Sequence, residues 1–312
     1  GAVFHPMNVY KAILFTLISS LMFAAMSSLV RFTGETAPVG QVVFFRAAFG
    51  IVPITLFVLF RGELLQMIRT RRVLGHAGRG IFSVGGMFLN FASLARLPVV
   101  DATALSFASP LATVVFSAIF LKERVRIYRW SAVAVGFVGV LITLWPQISG
   151  GFRLEGNVQL TAAIVALIAA CFMALASVFI RELTASESTS TIVLYFFLAT
   201  SVMSLFTLPF GWVVPSWGDL GLLVAIGVLG GVGQLMLTQA YRHAEASTVA
   251  PFEYTSMVWA VAFGFVVFGE VPTVHVIVGA LILIASGLYV MHRERRLGLR
   301  REERKVGAPL RH

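Results

Sequence analysis

The sequence predicts an all-α integral membrane protein: ten transmembrane helices, arranged as two inverted five-helix repeats around a central cavity, with both termini cytoplasmic. Three observations predict it. Apolar runs of membrane-crossing length follow one another along almost the whole chain, short motifs of the first half return in the second, and the basic residues fall on one side. The residues are 58% hydrophobic and 12% charged, with mean hydropathy +0.89. A soluble domain carries about 25% charged residues, so this composition cannot build a water-facing surface. The net charge of +10 would suggest nucleic acid in a soluble protein. Here the basic residues sit at helix ends and in a tail, which is the pattern of membrane orientation, so no nucleic-acid partner is expected.

A span needs roughly twenty mostly apolar residues. The first run, 10–31, is too long for the apolar region of a signal peptide and is read as retained; Gly1 to Pro6 reads as a vector-derived remnant ahead of Met7. The second, 38–60, carries Arg46. The third, 77–96, has Ser83, Gly86, Asn90 and Ser93 at helical spacing. The fourth, 99–121, contains Ser106, Ser109 and Pro110 and runs into Leu121-Lys122-Glu123-Arg124. The fifth is 127–145. The sixth, 159–181, holds the lone Cys171, so no disulfide within the chain is available. The seventh is 189–212. The eighth, 218–241, has Gly227, Gly231, Gln234 and Thr238 along one stripe. The ninth, 247–269, carries Pro251-Phe252-Glu253-Tyr254 and Trp259. The tenth is 272–291.

The halves match. Val84–Arg96 overlays Leu229–Tyr241 without gaps, placing Gly85-Gly86 on Gly230-Gly231 and Ser93 on Thr238. Leu29-Val30-Arg31 resembles Phe179-Ile180-Arg181, Phe120-Leu121-Lys122-Glu123 resembles Val267-Phe268-Gly269-Glu270, and Gly139-Val140-Leu141 resembles Gly287-Leu288-Tyr289. The expected units are therefore 10–145 and 158–292, with a basic cytoplasmic tail over 293–312. Five spans per unit is odd, so the second must enter the membrane upside down, a transporter signature. With the amino terminus inside, twenty Lys or Arg lie inside and three (Arg31, Arg96, Arg153) outside.

Polar groups at membrane depth are rare and usually functional. Arg46 lies roughly 12 Å into its span at 1.5 Å per residue, and either binds a substrate carboxylate, snorkels toward the outer surface or satisfies helix-end carbonyls. Glu253, roughly 9 Å deep, either carries a proton, meets a substrate ammonium, or gates by pairing with a basic group. Glu123 and Glu270 sit at matching span ends, where they cap helices or close opposite mouths of the cavity. Asn90, Ser106, Ser109, Gln234, Thr238 and Tyr254 offer neutral hydrogen-bonding groups suited to a substrate that must be released again. Phe91, Tyr254 and Trp259 offer a flat wall to a planar substrate. Pro110 and Pro251 interrupt the fourth and ninth spans and are the expected hinges. The glycines of the two stripes serve either a polar pathway or close helix packing.

Taken together, Pro110 followed by Leu121-Lys122-Glu123-Arg124, Phe268-Gly269-Glu270 in the second half, and the five-plus-five plan resemble the drug/metabolite transporter superfamily, EamA type, over about residues 10–292. The resemblance implies a ten-helix carrier of the bacterial inner membrane whose cavity is lined largely by the third, fourth, eighth and ninth helices. Within the superfamily the chain is most similar to the YddG-type branch, which implies export of aromatic or hydrophobic amino acids. Export or facilitated passage of a purine or an aromatic cation is the alternative; a channel or an intramembrane enzyme fits less well. The chain has no GxxxxGK[ST] stretch, no paired acids and no His-rich set, so no ATP hydrolysis, catalytic residue, metal or cofactor is expected. The expected partners are the lipid bilayer and a small molecule, with proton coupling through Glu253 open.

Overall fold

The computed structural model describes residues 9–34, 36–61, 68, 70, 73–120, 127–149, 157–184, 189–243 and 252–306, and among these every regular element is helical. In order they are α1 (Val9–Thr33), α2 (Val39–Arg61), α3 (Val73–Leu94), α4 (Val99–Ser106), α5 (Ala108–Phe120), α6 (Ile127–Ile148), α7 (Val158–Thr184), α8 (Thr189–Leu205), α9 (Trp217–His243), α10 (Thr255–Phe268) and α11 (Val274–Val306). Among the described residues seven stretches are long and apolar enough to cross a membrane: Tyr10–Thr33, Val39–Phe60, Val99–Phe120, Ile127–Pro146, Val158–Phe179, Trp217–Ala240 and Val274–Arg293. The other three expected spans coincide with α3, which carries His76 and Arg79, and with the shorter apolar helices α8 and α10.

Several expected boundaries move. α8 ends at Leu205 and gives way to turns through Gly211, so the seventh run is a shorter helix than 189–212 implied. The carboxyl-terminal helix continues to Val306, so the expected tail begins as an extension of α11. The fourth run is bent: α4 stops at Ser106, Phe107 is a turn, and α5 begins at Ala108. Pro110 is the cause. Its ring leaves the carbonyl four residues back, that of Ser106, without a helical donor. Pro110 itself sits in the first turn of α5, where an amide N–H is surplus. The break therefore lies at Phe107, three residues before the proline that creates it.

The halves interlock instead of standing side by side. The most extensive packing sets α1 on α9, α3 on α7, α6 on α11, and α2 on α9 and α8. Exchanging the halves maps the α1–α9 contact onto the α7–α3 contact, so the packing carries the internal duplication read from the sequence. Glycines set the closest approaches. A Cβ on Gly231 would lie 2.6 Å from the Gly50 carbonyl oxygen, and one on Gly139 would lie 2.9 Å from that of Gly279. Gly85 and Gly86 admit Phe172 and Met173 of α7, and Gly230 admits Met26 of α1. The matched glycine pairs of α3 and α9 therefore serve helix packing, not a polar pathway.

Gly231→Val and Gly139→Val force apart backbones that have no room to yield. Each should cost about 1–3 kcal/mol and lower the thermal unfolding midpoint of the purified protein. Gly221→Ala, where an added Cβ meets nothing within 4 Å, should leave that midpoint unchanged or slightly raised.

Candidate functional site

A cavity of about 700 Å³ opens among α1, α4, α5, α7 and the start of α10, with edges from α6, α9 and α11. Two interrupted helices meet on its wall. The register that lays Phe120 on Val267 also lays Phe107 on Tyr254, and these are the two residues at which the helices break. Phe107 has φ −66°, ψ −7° and Tyr254 φ −65°, ψ −13°. Their rings touch edge to face, with centroids 5.1 Å apart and planes at 74°. The Tyr254 hydroxyl occupies the space where a side chain at Gly287 of α11 would stand, so this glycine admits the ring.

Hydroxyl groups alternate with apolar side chains such as Phe23, Leu111, Val114 and Met173 over the remainder, and most of the hydroxyl protons are already spent. Thr16 donates to Ala12 (2.8 Å), Thr103 to Val99 (2.7 Å), Ser106 to Thr103 (2.7 Å), Thr113 to Ser109 (2.9 Å) and Ser177 to Met173 (2.9 Å), each acceptor being a carbonyl of the same helix. Each oxygen keeps lone pairs to offer. Ser20 receives the Trp259 indole N–H at 3.2 Å and lies 2.8 Å from Thr255 Oγ1. The wall is thus rich in acceptors and suits a ligand that donates hydrogen bonds. Glu253 and Arg129 add one charge of each sign.

One end of the same helices is tied shut. α10 ends in a left-handed Gly269 (φ +65°), whose N–H bonds the Phe265 carbonyl at 3.0 Å while the Glu270 N–H bonds that of Gly264 at 2.9 Å. Only glycine adopts this turn without cost, and it delivers the Glu270 carboxylate to Arg31. Arg31 Nε donates to Glu270 Oε1 at 2.9 Å and Nη2 lies 2.9 Å from the same oxygen; Nη1 donates to the Leu97 carbonyl at 2.6 Å. The other carboxylate oxygen accepts the Val99 N–H at 3.2 Å, capping α4. The ends of α1, α4 and α10 are joined through one carboxylate. The cavity begins one turn further in, at Ser27 of α1 and Thr103 of α4.

Of the residues singled out in the sequence, Ser106, Ser109, Pro110, Glu253 and Tyr254 line the cavity, and Trp259 reaches it through Ser20. Others do not. Phe91 is packed in the main apolar core, and Asn90, Gln234 and Thr238 are off the cavity wall, Thr238 bonding the Gln234 carbonyl at 2.8 Å. Arg46 is buried beside Phe196 and Phe197, and Glu270 serves the closed end. Glu123 and Pro251 lie outside the described residues. The first helix was overlooked, although Thr16, Ser19, Ser20, Phe23 and Ser27 recur on one helical face and could have been found by that spacing.

Similarity to known proteins agrees with this architecture. The sequence matches the EamA-like transporter family over residues 10–145 and again over 160–291. The chain belongs to that family. It is 33% identical over 281 residues to the pseudopaline exporter CntI of Pseudomonas aeruginosa, covering 88% of this chain and 94% of that one. It is 28% identical over 287 residues to the S-adenosylmethionine uptake transporter of Rickettsia felis, covering 92% and 94%. A riboflavin transporter of Vibrio cholerae is 29% identical over 306 residues, covering 97% and 98%. One solved crystal structure superposes with a TM-score of 0.64 at 22% identity, over 92% of this chain and 97% of the other, a likeness of fold. The chain is an EamA-type membrane transporter, and its apolar helices and bacterial relatives fit a multi-pass protein of the bacterial inner membrane.

In a Cys171→Ser background, cysteines at Ser109 and Ser177 should react readily with a water-soluble thiol reagent, because both line the cavity. A cysteine at Phe91, 4% exposed in the core, should react at least tenfold more slowly by mass spectrometry. Equal rates would mean that the cavity is not the wet compartment of this protein.

Proposed function

We propose that the chain is a secondary transporter that exports small metabolites by alternating access, with the cavity behind Phe107 and Tyr254 as its binding compartment. The observation that carries this reading is the meeting of two interrupted helices, at equivalent positions of the two halves, on the wall of one polar cavity. Irregular backbone at membrane depth is tolerated where it lines a cavity, and transporter sites are built in this way. In this reading α4 and α5 form one bent span, the eleven helices of the described residues make ten passes, and 10–145 and 158–292 are the two repeats. With the termini cytoplasmic, the cavity faces the cytoplasm and the Arg31–Glu270 pair closes the outer mouth. Glu123, at the matching sequence position of the first half, serves the inner mouth in the opposite state.

Aromatic and hydrophobic amino acids are the first substrates of this proposal. The ammonium group meets Glu253 and the hydroxyl acceptors, and the side chain rests on Phe107 and Tyr254. The size of the cavity favours a second reading. About 700 Å³ falls in the range of pockets for drug-sized ligands and accommodates a larger amine-bearing or heterocyclic metabolite. Relatives named for pseudopaline, S-adenosylmethionine and riboflavin support that reading.

Purified protein in proteoliposomes should give saturable flux without ATP, and a competition panel of amino acids, purines and aromatic cations should rank the two readings. Ser20→Ala removes one acceptor and should raise KM about 3–10-fold, the equivalent of a hydrogen bond worth roughly 0.5–1.5 kcal/mol. Glu253→Gln should abolish the response of flux to a pH gradient; an unchanged response would make the protein a facilitator. Absence of flux for every compound would remove the transport reading.

A further inference from the structure

A second cluster of charge lies away from the cavity, among α2, α3, α8 and α9. Arg46 of α2 and Arg79 of α3 are each 6% exposed. Both guanidinium groups converge on one ring: their central carbons lie 5.5 Å and 5.3 Å from the Phe196 centroid, and Arg46 also lies 5.0 Å from that of Phe197. Arg79 spends one donor on the Ile192 carbonyl of α8. Arg46 Nε and Nη1 and Arg79 Nε are buried without a hydrogen-bond partner. Among the described residues the ion pair is that of Arg31 with Glu270, so neither arginine has a carboxylate.

This arrangement is costly as it stands. Each buried cation loses its hydration, and the two repel each other in a medium of low dielectric. A contact with an aromatic face recovers only a fraction of that penalty. Snorkelling relieves it only in small part, because each residue is 6% exposed. One group of opposite charge, with oxygen lone pairs for the idle donors, would satisfy all of these demands together. Arginine's planar fork matches a carboxylate or sulfate-type oxyanion better than a spherical halide.

The geometry points to a second binding site, formed by Arg46 and Arg79 around Phe196, for a carboxylate- or sulfate-type oxyanion. The site shares no lining residue with the cavity and does not depend on what the cavity carries. Its occupant is a soluble anion or the phosphate of an anionic lipid, and the two sources are separable.

The test uses the full chain in nanodiscs of neutral phosphatidylcholine, with radiolabelled sulfate as the probe. Wild type should bind sulfate saturably, and binding should fall at least tenfold in Arg46→Gln and in Arg79→Gln. Arg46→Lys and Arg79→Lys keep the charge but lose the fork; they should retain weakened binding and guard against a folding failure. Sulfate at about ten times its Kd should raise the wild-type unfolding midpoint by roughly 3 °C over chloride at matched ionic strength, and this rise should be smaller in both Gln variants. Displacement of the label by phosphatidylglycerol assigns the site to a lipid phosphate, and persistence of the label assigns it to a soluble anion. Absence of saturable sulfate binding to wild type, or binding unchanged in both Gln variants, overturns the proposal.

Discussion

In hydrocarbon, every backbone amide and carbonyl must be satisfied within the chain. That constraint explains why every regular element among the described residues is a helix, and it makes each departure within a span informative. The chain departs at Phe107 and at Tyr254, and there the broken backbone faces a hydroxyl-lined cavity instead of lipid. A proline supplies the local cause in the first half, and the cavity supplies the environment in which the exposed carbonyl is tolerated. The same pressure acts on side chains. Most serines and threonines of the wall have turned their protons onto carbonyls of their own helices, and Ser19 onto Gly233 of α9, which leaves lone pairs facing the cavity.

The duplication gives the molecule its mechanical plan. Because α1 packs on α9 and α3 on α7, the two halves share one packed frame. Glycine contacts between α2 and α9, and between α6 and α11, bring backbones together where lipid offers no apolar driving force for association. Against this tightly packed frame the tie among α1, α4 and α10 is of a different kind. It depends on one carboxylate, placed by one left-handed glycine, and is therefore the sort of contact that can be exchanged without dismantling the core.

Much of this plan was legible in the residues. Hydropathy and the returning motifs gave the helical membrane class and the division into halves, because both depend on composition and order alone. The cavity was legible only in part. Tyr254, Glu253, Ser106 and Ser109 were found because polar groups inside apolar runs are conspicuous. Asn90 and Gln234 were singled out by the same logic, and Phe91 as a flat wall, yet helical spacing fixes which residues share a face and not which neighbour that face meets. The glycine stripes illustrate the point: Gly86 and Gly231 read equally well as pathway or packing until α7 and α2 are seen lying against them. Phe107 was invisible because the signal, Pro110, stands a turn away from its effect. Arg46 was noticed alone, since nothing in the sequence brings Arg79 to the same ring.

Gly287 has a wider bearing than its size suggests. It sits on α11 at the edge of the cavity and offers no side chain to it, yet the Tyr254 ring stands where it does only because position 287 carries a hydrogen. A methyl group there would collide with the Tyr254 hydroxyl and oblige the ring to shift. The shape of the compartment on that side is thus set by a helix that brings no hydrogen-bonding side chain to the wall.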